Sequence, residues 1–292
     1  PEYEIHGVDN FNKNYELKIK KIRNNILNKY KRFKFFNNDL KNDKLIKKLS
    51  KQNYEIIIHL AAQPGVRDVY DNPKIYFENN LYAYFNILRC ITKKTKLFIY
   101  GSSSSIYGNS KTSKELSATD NPLNFYAGSK KCNEIIAKSF NEVIDAKIVG
   151  LRFFTCYGPY GRPDMAVFKF TRQIAKGKKI NFHNFGKHLR DFTYIDDVIK
   201  CIYLIITNQK KLKKFELFNI GKEKPNSLKE LTNLISSQLN KKAKIKKIKA
   251  QKGEVKITRS NMSYFYKKFK YKPKTSLREG VKKFINWYKS YE

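Results

Sequence analysis

The sequence has few acidic residues, few cysteines and no long apolar run. Its 292 residues contain 25 Asp and Glu against 61 Lys and Arg, a formal net charge of +36. Its cysteines form no C-x-x-C pair, which favours buried, reduced thiols in a cytoplasmic protein over a disulfide framework. No stretch approaches the roughly 20 apolar residues of a membrane span, and no signal peptide is visible. We therefore expect a cytoplasmic protein without a membrane anchor, and we expect no metal site.

The excess positive charge is compatible with nucleic acid or another anionic partner. However, lysines occur in every segment, and Lys, Asn, Ile, Phe and Tyr are all abundant, as a coding bias would produce. Runs of one charge are most often solvated faces, and no RNP, zinc-finger or helix-turn-helix signature accompanies them. We expect no nucleic-acid partner, although a basic surface would attract an anionic nucleotide substrate.

The most informative segment is 97–130. An apolar run, Leu97 to Tyr100, ends at Gly101 and the four serines Ser102 to Ser105. This pattern predicts a buried parallel strand whose carboxyl end lies in a functional site. Apolar strand patterns alternate with helical patterns along the chain, which predicts an α/β fold with a doubly wound parallel sheet. The length accommodates such a unit with a smaller C-terminal lobe.

Tyr126 and Lys130 follow this strand at helical spacing. Six Tyr-x-x-x-Lys pairs occur in the chain, so the spacing alone is weak evidence. Only this pair follows the serine-rich strand and opens a predicted helix, Ala127 to Phe140. An ammonium one helical turn from a phenol favours the phenolate, and we expect it to lower the pKa of Tyr126 toward that of a general base.

Four segments, SSSSIYG, FYAGSK, LRFFTCYGPYGRPDM and RDFTYIDD, together resemble the extended short-chain dehydrogenase/reductase family. Within it they are most similar to nucleotide-sugar 4-epimerases that act on UDP-glucuronate, from Gly7 almost to the C-terminus. The resemblance implies NAD as cofactor and a UDP-sugar as substrate. We expect an NAD-binding domain over 1–157 and 190–222 and a nucleotide-sugar lobe over 158–189 and 223–292.

The N-terminal residues EYEIHGVDN resemble the second strand of the family's nucleotide-binding sheet, ending at Asp9. An acidic residue there hydrogen-bonds the adenosine ribose. The first strand and the Gly-x-x-Gly-x-x-Gly turn, which holds the pyrophosphate at a helix N-terminus, are not seen. We expect this strand–turn–helix unit of about 25–30 residues to be missing, with weaker cofactor binding as the result. The lysine-rich segment 14–36 predicts a surface helix and a short strand.

The resemblance assigns further cofactor contacts. Asp39 would contact adenine, with a helix cap as the equally supported alternative. The residues at the end of the next strand would form the cofactor wall: Leu60, Ala61 and Ala62. Asn80 would hold the main chain near the cofactor.

The implied reaction is a transient oxidation at carbon 4 of the sugar. Tyr126, as phenolate, takes the proton from the 4-hydroxyl while hydride passes to NAD, and hydride then returns to the other face of the 4-keto sugar. Lys130 would bind the nicotinamide ribose, and Ser103 would hydrogen-bond the reacting oxygen.

Substrate preference depends on the residues that follow Ser103. Ser104 and Ser105 stand where dehydratases carry an Asp-Glu pair and a decarboxylase carries a glutamate. Small hydroxyl donors instead suit a sugar carboxylate. Thr155, in place of the asparagine of many hexose epimerases, would join them. Arg162 would bind the acid group, with a loop-fixing role as the alternative.

For the nucleotide, we expect Arg190 to bind the diphosphate, with an ion pair to Asp191 or Asp196 as the alternative. Glu254, in KGEVKITRS, stands where the family has an aspartate that meets the ribose.

The resemblance also implies a homodimer formed by two helices, over 75–90 and 127–140. The apolar residues compatible with that contact, or equally with a core, are Tyr84, Phe85, Ile135 and Ile136.

Four hypotheses follow from these residues. The first is 4-epimerisation of UDP-glucuronate, and the second is 4-epimerisation of UDP-glucose or UDP-N-acetylglucosamine. The third is a related oxidoreductase or decarboxylase, which would share the first half-reaction. The fourth, of a different class, is a non-catalytic basic scaffold that binds nucleic acid.

Overall fold

The computed structural model describes residues 3–65, 72–110, 113–117, 119–249 and 255–292. In the first half of the chain, strands alternate with helices as predicted. The elements are, in order, β1 (Ile5–Asp9), α1 (Leu17–Leu27), β2 (Phe33–Asn37), α2 (Asp43–Ser50), β3 (Ile56–His59), α3 (Pro73–Tyr76), a π-helix (Phe77–Tyr82), α4 (Ala83–Leu88), β4 (Leu97–Ser103), a 3₁₀ helix (Ser104–Tyr107), α5 (Phe125–Phe140) and β5 (Lys147–Phe153).

Among the described residues, the second half contains six further strands and five further α-helices. Its elements are β6 (Thr155–Tyr157), α6 (Ala166–Ala175), β7 (Lys179–Phe182), a 3₁₀ helix (His183–Gly186), β8 (Leu189–Tyr194), α7 (Ile195–Thr207), a 3₁₀ helix (Gln209–Lys211), β9 (Phe215–Ile220), β10 (Pro225–Ser227), α8 (Leu228–Leu239), β11 (Lys244–Lys247), α9 (Ser263–Phe269) and α10 (Leu277–Tyr291).

The largest sheet is parallel and has the order β3-β4-β5-β9. β1 and β2 form a second parallel pair. In the second half, β8 lies between antiparallel β10 and parallel β6, and β7 pairs with β11.

Strand β4 shows why helices cover both faces of this sheet. All seven of its residues are buried. Leu97 and Ile99 pack with α7 and α9, whereas Phe98 and Tyr100 point to the opposite face, where α2, α4 and α5 pack. Because side chains alternate along a strand, an apolar run serves two cores at once. The predicted doubly wound α/β fold is confirmed.

A third core belongs to α6, α8 and α10, with β6 and β8. Helix α1 contributes Ile19, which is fully buried in this core, so the predicted surface helix in fact packs through one face. The predicted division into two domains stays a prediction. Within the part of the chain that the structure describes, no helix has the length and hydropathy needed to cross a membrane.

Candidate active site

The serines after β4 form a tight turn. The Ser103 side chain caps the following 3₁₀ helix, because its Oγ accepts a hydrogen bond from the Ser105 main-chain N–H at 3.2 Å. The Ser103 hydroxyl also donates to Ser105 Oγ at 3.1 Å. Three neighbouring hydroxyls, those of Ser103, Ser104 and Ser105, therefore lie at the carboxyl end of the central strand, where ligands bind in open α/β sheets.

Helix α5 brings Tyr126 and Lys130 to the same strand end. Its N-cap is Asn124, whose side chain accepts from the Ala127 N–H at 2.9 Å. The Tyr126 hydroxyl is hydrogen-bonded to the Ser103 side chain. The buried Lys130 ammonium donates to the Gly101 carbonyl oxygen at 2.8 Å. The structure thus joins all three predicted catalytic residues, whose roles stay predictions.

The electrostatics differ from the sequence expectation. Burial raises the pKa of Tyr126, and this effect exceeds the lowering by the Ser103 hydrogen bond and by the charge of Arg162. Burial lowers the pKa of Lys130 from 10.5 to about 8. The expectation that Lys130 lowers the pKa of Tyr126 is therefore wrong for this structure: burial prevails, and the opposing groups are Ser103 and Arg162.

The depressed pKa of Lys130 predicts a pH-dependent stability difference. Below about pH 8, Lys130 is charged in both the folded and the unfolded state, so the cost of burying its charge is fully present. Between pH 8 and pH 10.5 only the unfolded state retains the proton, and stability rises with pH. A Lys130→Met variant lacks this gain, so the wild type should gain up to about 3 kcal/mol over it across that interval.

Urea unfolding at several pH values, without added NAD, measures this difference. Lys138→Met, at an exposed position of the same helix, is the matched control and should track the wild type. A Lys130→Met difference that stays constant from pH 7 to pH 10 contradicts the assignment.

The predicted adenosine contacts lie at the ends of β1 and β2. Asp9 is exposed and its Oδ1 accepts from the Phe11 N–H at 2.7 Å. Asp39 accepts from the Asn10 side chain at 2.9 Å and from the Lys41 N–H at 2.8 Å. The alternative that Asp39 caps the next helix is wrong, because Asn42 is the N-cap of α2.

Next to these carboxylates is an open cavity of about 420 Å³. Sequence reasoning missed the amide side chains that line it; the signal was the asparagine-rich loop that directly follows Asp9. Its lining includes Asn10, Asn12, Asn14, Asp39, Ile75 and Asn79.

The predicted cofactor wall follows β3. Leu60 is 52% exposed despite its apolar side chain, and Ala61 is also exposed. Asn80 is buried and ties this segment down, since its side chain accepts from the Gln63 N–H at 2.7 Å and donates to the Gln63 carbonyl at 3.1 Å. It also donates to Ser129 Oγ of α5 at 2.9 Å. Asn80 lies in the π-helix, a local irregularity frequent at functional sites.

These features fit the adenosine half of a dinucleotide. Carboxylates at two neighbouring strand ends can accept from hydroxyl or amino groups, and the exposed apolar side chain of Leu60 could contact a base. The chain's own residues therefore present a place for the cofactor that the sequence predicts.

On the substrate side, Arg162 lies close enough to Tyr126 to lower its pKa. Its guanidinium pairs with Asp164, with Nε 3.1 Å from Oδ1. Thr155 begins β6 and is half-buried. Glu254 lies outside the described residues.

Arg190 lies on β8 and donates to the main-chain carbonyls of Leu189 and Lys256, at 2.9 and 3.1 Å. The neighbouring Asp191 is fully buried and accepts from the N–H groups of Lys222 and Ser260 at 2.7 and 2.8 Å. Asp191 thereby joins β8 to two later segments.

A parallel sheet with Ser103, Tyr126 and Lys130 together at its carboxyl edge is typical of a nicotinamide-dependent enzyme of the short-chain dehydrogenase/reductase type. The chain belongs to the NAD dependent epimerase/dehydratase family, whose sequence profile matches residues 1–221.

Individual relatives agree with this assignment. UDP-glucuronate 4-epimerase 4 of Arabidopsis thaliana is 39% identical, in an alignment that covers 98% of this chain and 70% of the relative. Protein CapI of Staphylococcus aureus is 36% identical, with 98% and 91% covered. The crystal structure of UDP-glucuronic acid 4-epimerase from Bacillus cereus, in complex with UDP-glucuronic acid and NAD, superposes with a TM-score of 0.92 at 29% identity, covering 99% and 92%.

The predicted family is therefore confirmed, as are NAD as the cofactor and the class of NAD-dependent nucleotide-sugar epimerase.

Proposed function

We propose that this protein interconverts UDP-glucuronate and UDP-galacturonate by epimerisation at carbon 4. The observation that carries this proposal is the serine turn, which places the hydroxyls of Ser103, Ser104 and Ser105 at the carboxyl end of β4. The charge of Arg162 also lowers the pKa of the nearby Tyr126. In a glucuronate ring, the carboxylate is attached to carbon 5, next to the carbon that bears the reacting hydroxyl. Hydroxyl donors and a cation in this region would suit the acid group of this substrate.

The hydroxyls beside Ser103 support the same substrate. Ser104 and Ser105 follow Ser103 in one 3₁₀ turn, and together with Thr155 they are small donors that a carboxylate can accept from. Neither Ser104 nor Ser105 carries a carboxyl group, so these two positions supply no acid for dehydration.

In the proposed reaction, the Ser103 hydroxyl hydrogen-bonds the sugar 4-oxygen. The ionised form of Tyr126, a minority at neutral pH because burial raises its pKa, receives the proton of the 4-hydroxyl. NAD, when bound, would supply the acceptor for the hydride of carbon 4 and the donor for its return. Asp9 and Asp39 would hold its adenosine half, and Lys130 its nicotinamide ribose. Tyr126 returns the proton after the 4-keto sugar has turned over.

The test uses the protein expressed with any residues that precede Pro1 in its gene, incubated with NAD and UDP-glucuronate. Chromatography should reveal UDP-galacturonate, and absorbance should show no net NADH. Interconversion of UDP-glucose or UDP-N-acetylglucosamine, with UDP-glucuronate unchanged, would contradict the uronate preference but not 4-epimerisation. Carbon dioxide or accumulating NADH would indicate a decarboxylase or an oxidoreductase. Inactivity on all these sugars would favour the scaffold hypothesis.

We also propose a homodimer. Three apolar side chains are exposed on the two helical segments of the predicted contact: Phe77, Phe85 and Ile135, at 56%, 53% and 58%. Tyr84 is fully buried and Ile136 packs against the same core, so these two residues serve the core. Light scattering should give twice the chain mass, and the double variant Phe85→Glu with Ile135→Glu should be a monomer.

A cytoplasmic location stays a prediction, which the four free cysteines support.

A further inference from the structure

A chain of buried polar side chains lies directly behind the serine turn. Ser102 Oγ donates to Glu134 Oε1 at 2.6 Å. Arg152 donates to both oxygens of the same carboxylate, from Nε at 2.9 Å and from Nη2 at 2.8 Å. The side chains of Arg152 and Glu134 are only 2% and 4% exposed. This is a fork-to-fork ion pair with an added hydroxyl donor.

The chain of contacts continues on the other side of Arg152. Its Nη1 donates to the Tyr107 hydroxyl at 2.8 Å and to the Glu115 carbonyl at 3.0 Å. Tyr107 in turn donates to Asn219 Oδ1 at 2.8 Å.

The sheet register explains why these groups meet. Ser102 on β4 is directly opposite Arg152 on β5, and Arg152 is directly opposite Asn219 on β9. The contacts therefore cross three adjacent strands at one level, immediately below the site.

Each end of this network is attached to an element that carries a site residue. Ser102 adjoins Ser103 on β4. Tyr107 ends the 3₁₀ helix that begins with Ser104. Glu134 lies on α5, one turn beyond Lys130 and two turns beyond Tyr126. Arg152 thus bridges the three elements whose mutual distance the reaction depends on.

Stability alone does not account for this arrangement. Replacing a buried ion pair by apolar residues of similar volume is often neutral or stabilising. If Arg152 and Glu134 served only to fill the core, apolar side chains would have sufficed at both positions.

We propose that Arg152 is a positioning residue that, through Glu134 and Tyr107, fixes Tyr126 and Lys130 against the serine turn. This inference rests on the proposed function. Because misplacing reacting groups by about 1 Å costs about 100-fold in rate, loosening the network should lower kcat far more than it raises KM.

The main test is the double variant Glu134→Leu with Arg152→Met, which removes both charges together. We expect a melting temperature close to that of the wild type, a kcat about 100-fold lower and a KM within about threefold. A folded double variant with a wild-type kcat would overturn the proposal.

A milder variant covers the case in which the double variant does not fold. Tyr107→Phe removes only the hydroxyl between Arg152 and Asn219, and we expect a several-fold loss in kcat at unchanged KM. Its matched control is Tyr100→Phe, whose buried hydroxyl has no hydrogen-bond partner among the described residues and which should keep the wild-type kcat. Equal kcat values for both variants and the wild type overturn the proposal.

Hydrogen exchange separates this inference from the proposed function. If the wild type is inactive on UDP-glucuronate, the proposed function fails by itself. The amides of 102–107 and 125–130 should then still exchange faster in Tyr107→Phe than in Tyr100→Phe, and identical exchange contradicts the positioning role.

Discussion

Replacing Tyr126 by phenylalanine is expected to lower kcat by about 10²–10⁴-fold, the usual contribution of a positioned general base. The substitution removes only the hydroxyl that shares a hydrogen bond with Ser103. Burial already raises the pKa of this phenol, so the hydroxyl is stable as a neutral group and the fold does not depend on its charge. The melting temperature should therefore change little, and KM should stay within a few-fold.

The measurement is steady-state conversion of UDP-glucuronate together with thermal unfolding. Tyr84→Phe is the matched control, because the Tyr84 hydroxyl is buried near the same sheet and has no hydrogen-bond partner in the part of the chain that the structure describes. We expect Tyr84→Phe to keep its kcat. A Tyr126→Phe protein with more than a tenth of the wild-type kcat would remove Tyr126 from the mechanism.

Replacing Arg162 by methionine is expected to raise KM for UDP-glucuronate by about 10- to 100-fold, since a hydrogen bond to a charged group contributes about 1.5–3 kcal/mol. UDP-glucose lacks the carboxylate, so its KM should change little. The cation also lowers the pKa of Tyr126. Its removal raises that pKa, so kcat near neutral pH should fall for both sugars, and the optimum should move to higher pH.

The ratio of the two KM changes is the decisive quantity. The control is Arg89, an exposed arginine that pairs with Asp43. Arg89→Met removes one positive charge and should leave both KM values unchanged. If Arg162→Met raises KM equally for UDP-glucuronate and UDP-glucose, Arg162 does not bind the acid group. The alternative, that Arg162 fixes the loop, would then hold; its ion pair with Asp164 supports that role.

Sequence reasoning found the centre of the site because two local periodicities agree there. The apolar run before Ser102 predicts a two-sided buried strand, and the helical spacing of Tyr126 and Lys130 predicts one shared helix face. The structure has both elements within a few residues of the predicted limits. Context mattered more than the motif, because none of the five other Tyr-x-x-x-Lys pairs both follows the serine-rich strand and opens a predicted helix.

Other features depend on contacts that no local pattern contains. Glu134 and Arg152 are 18 positions apart and meet only because α5 packs on the sheet. The π-helix at Phe77–Tyr82 changes the hydrogen-bond pattern without changing residue composition, so the segment predicted as one long helix contains six residues with π-helical hydrogen bonding. The pKa of Tyr126 depends on burial, which spacing to Lys130 does not reveal.

Helix α1 is another such case. Its lysines predict a surface helix, yet Ile19 is fully buried. Lys20 is also buried, with its ammonium donating to the Asn12 carbonyl at 2.9 Å. One apolar position per turn suffices for packing when other helices of the same chain cover it. Long lysine side chains can also lie along apolar surface.

Epimerisation by removal and return of one hydride at carbon 4 can be followed with UDP-glucuronate deuterated at that carbon. The protein is incubated with this substrate and unlabelled NAD in ordinary water, and the product is analysed by mass spectrometry and NMR. We expect UDP-galacturonate that retains deuterium at carbon 4. UDP-galacturonate with protium from solvent at carbon 4 would contradict it.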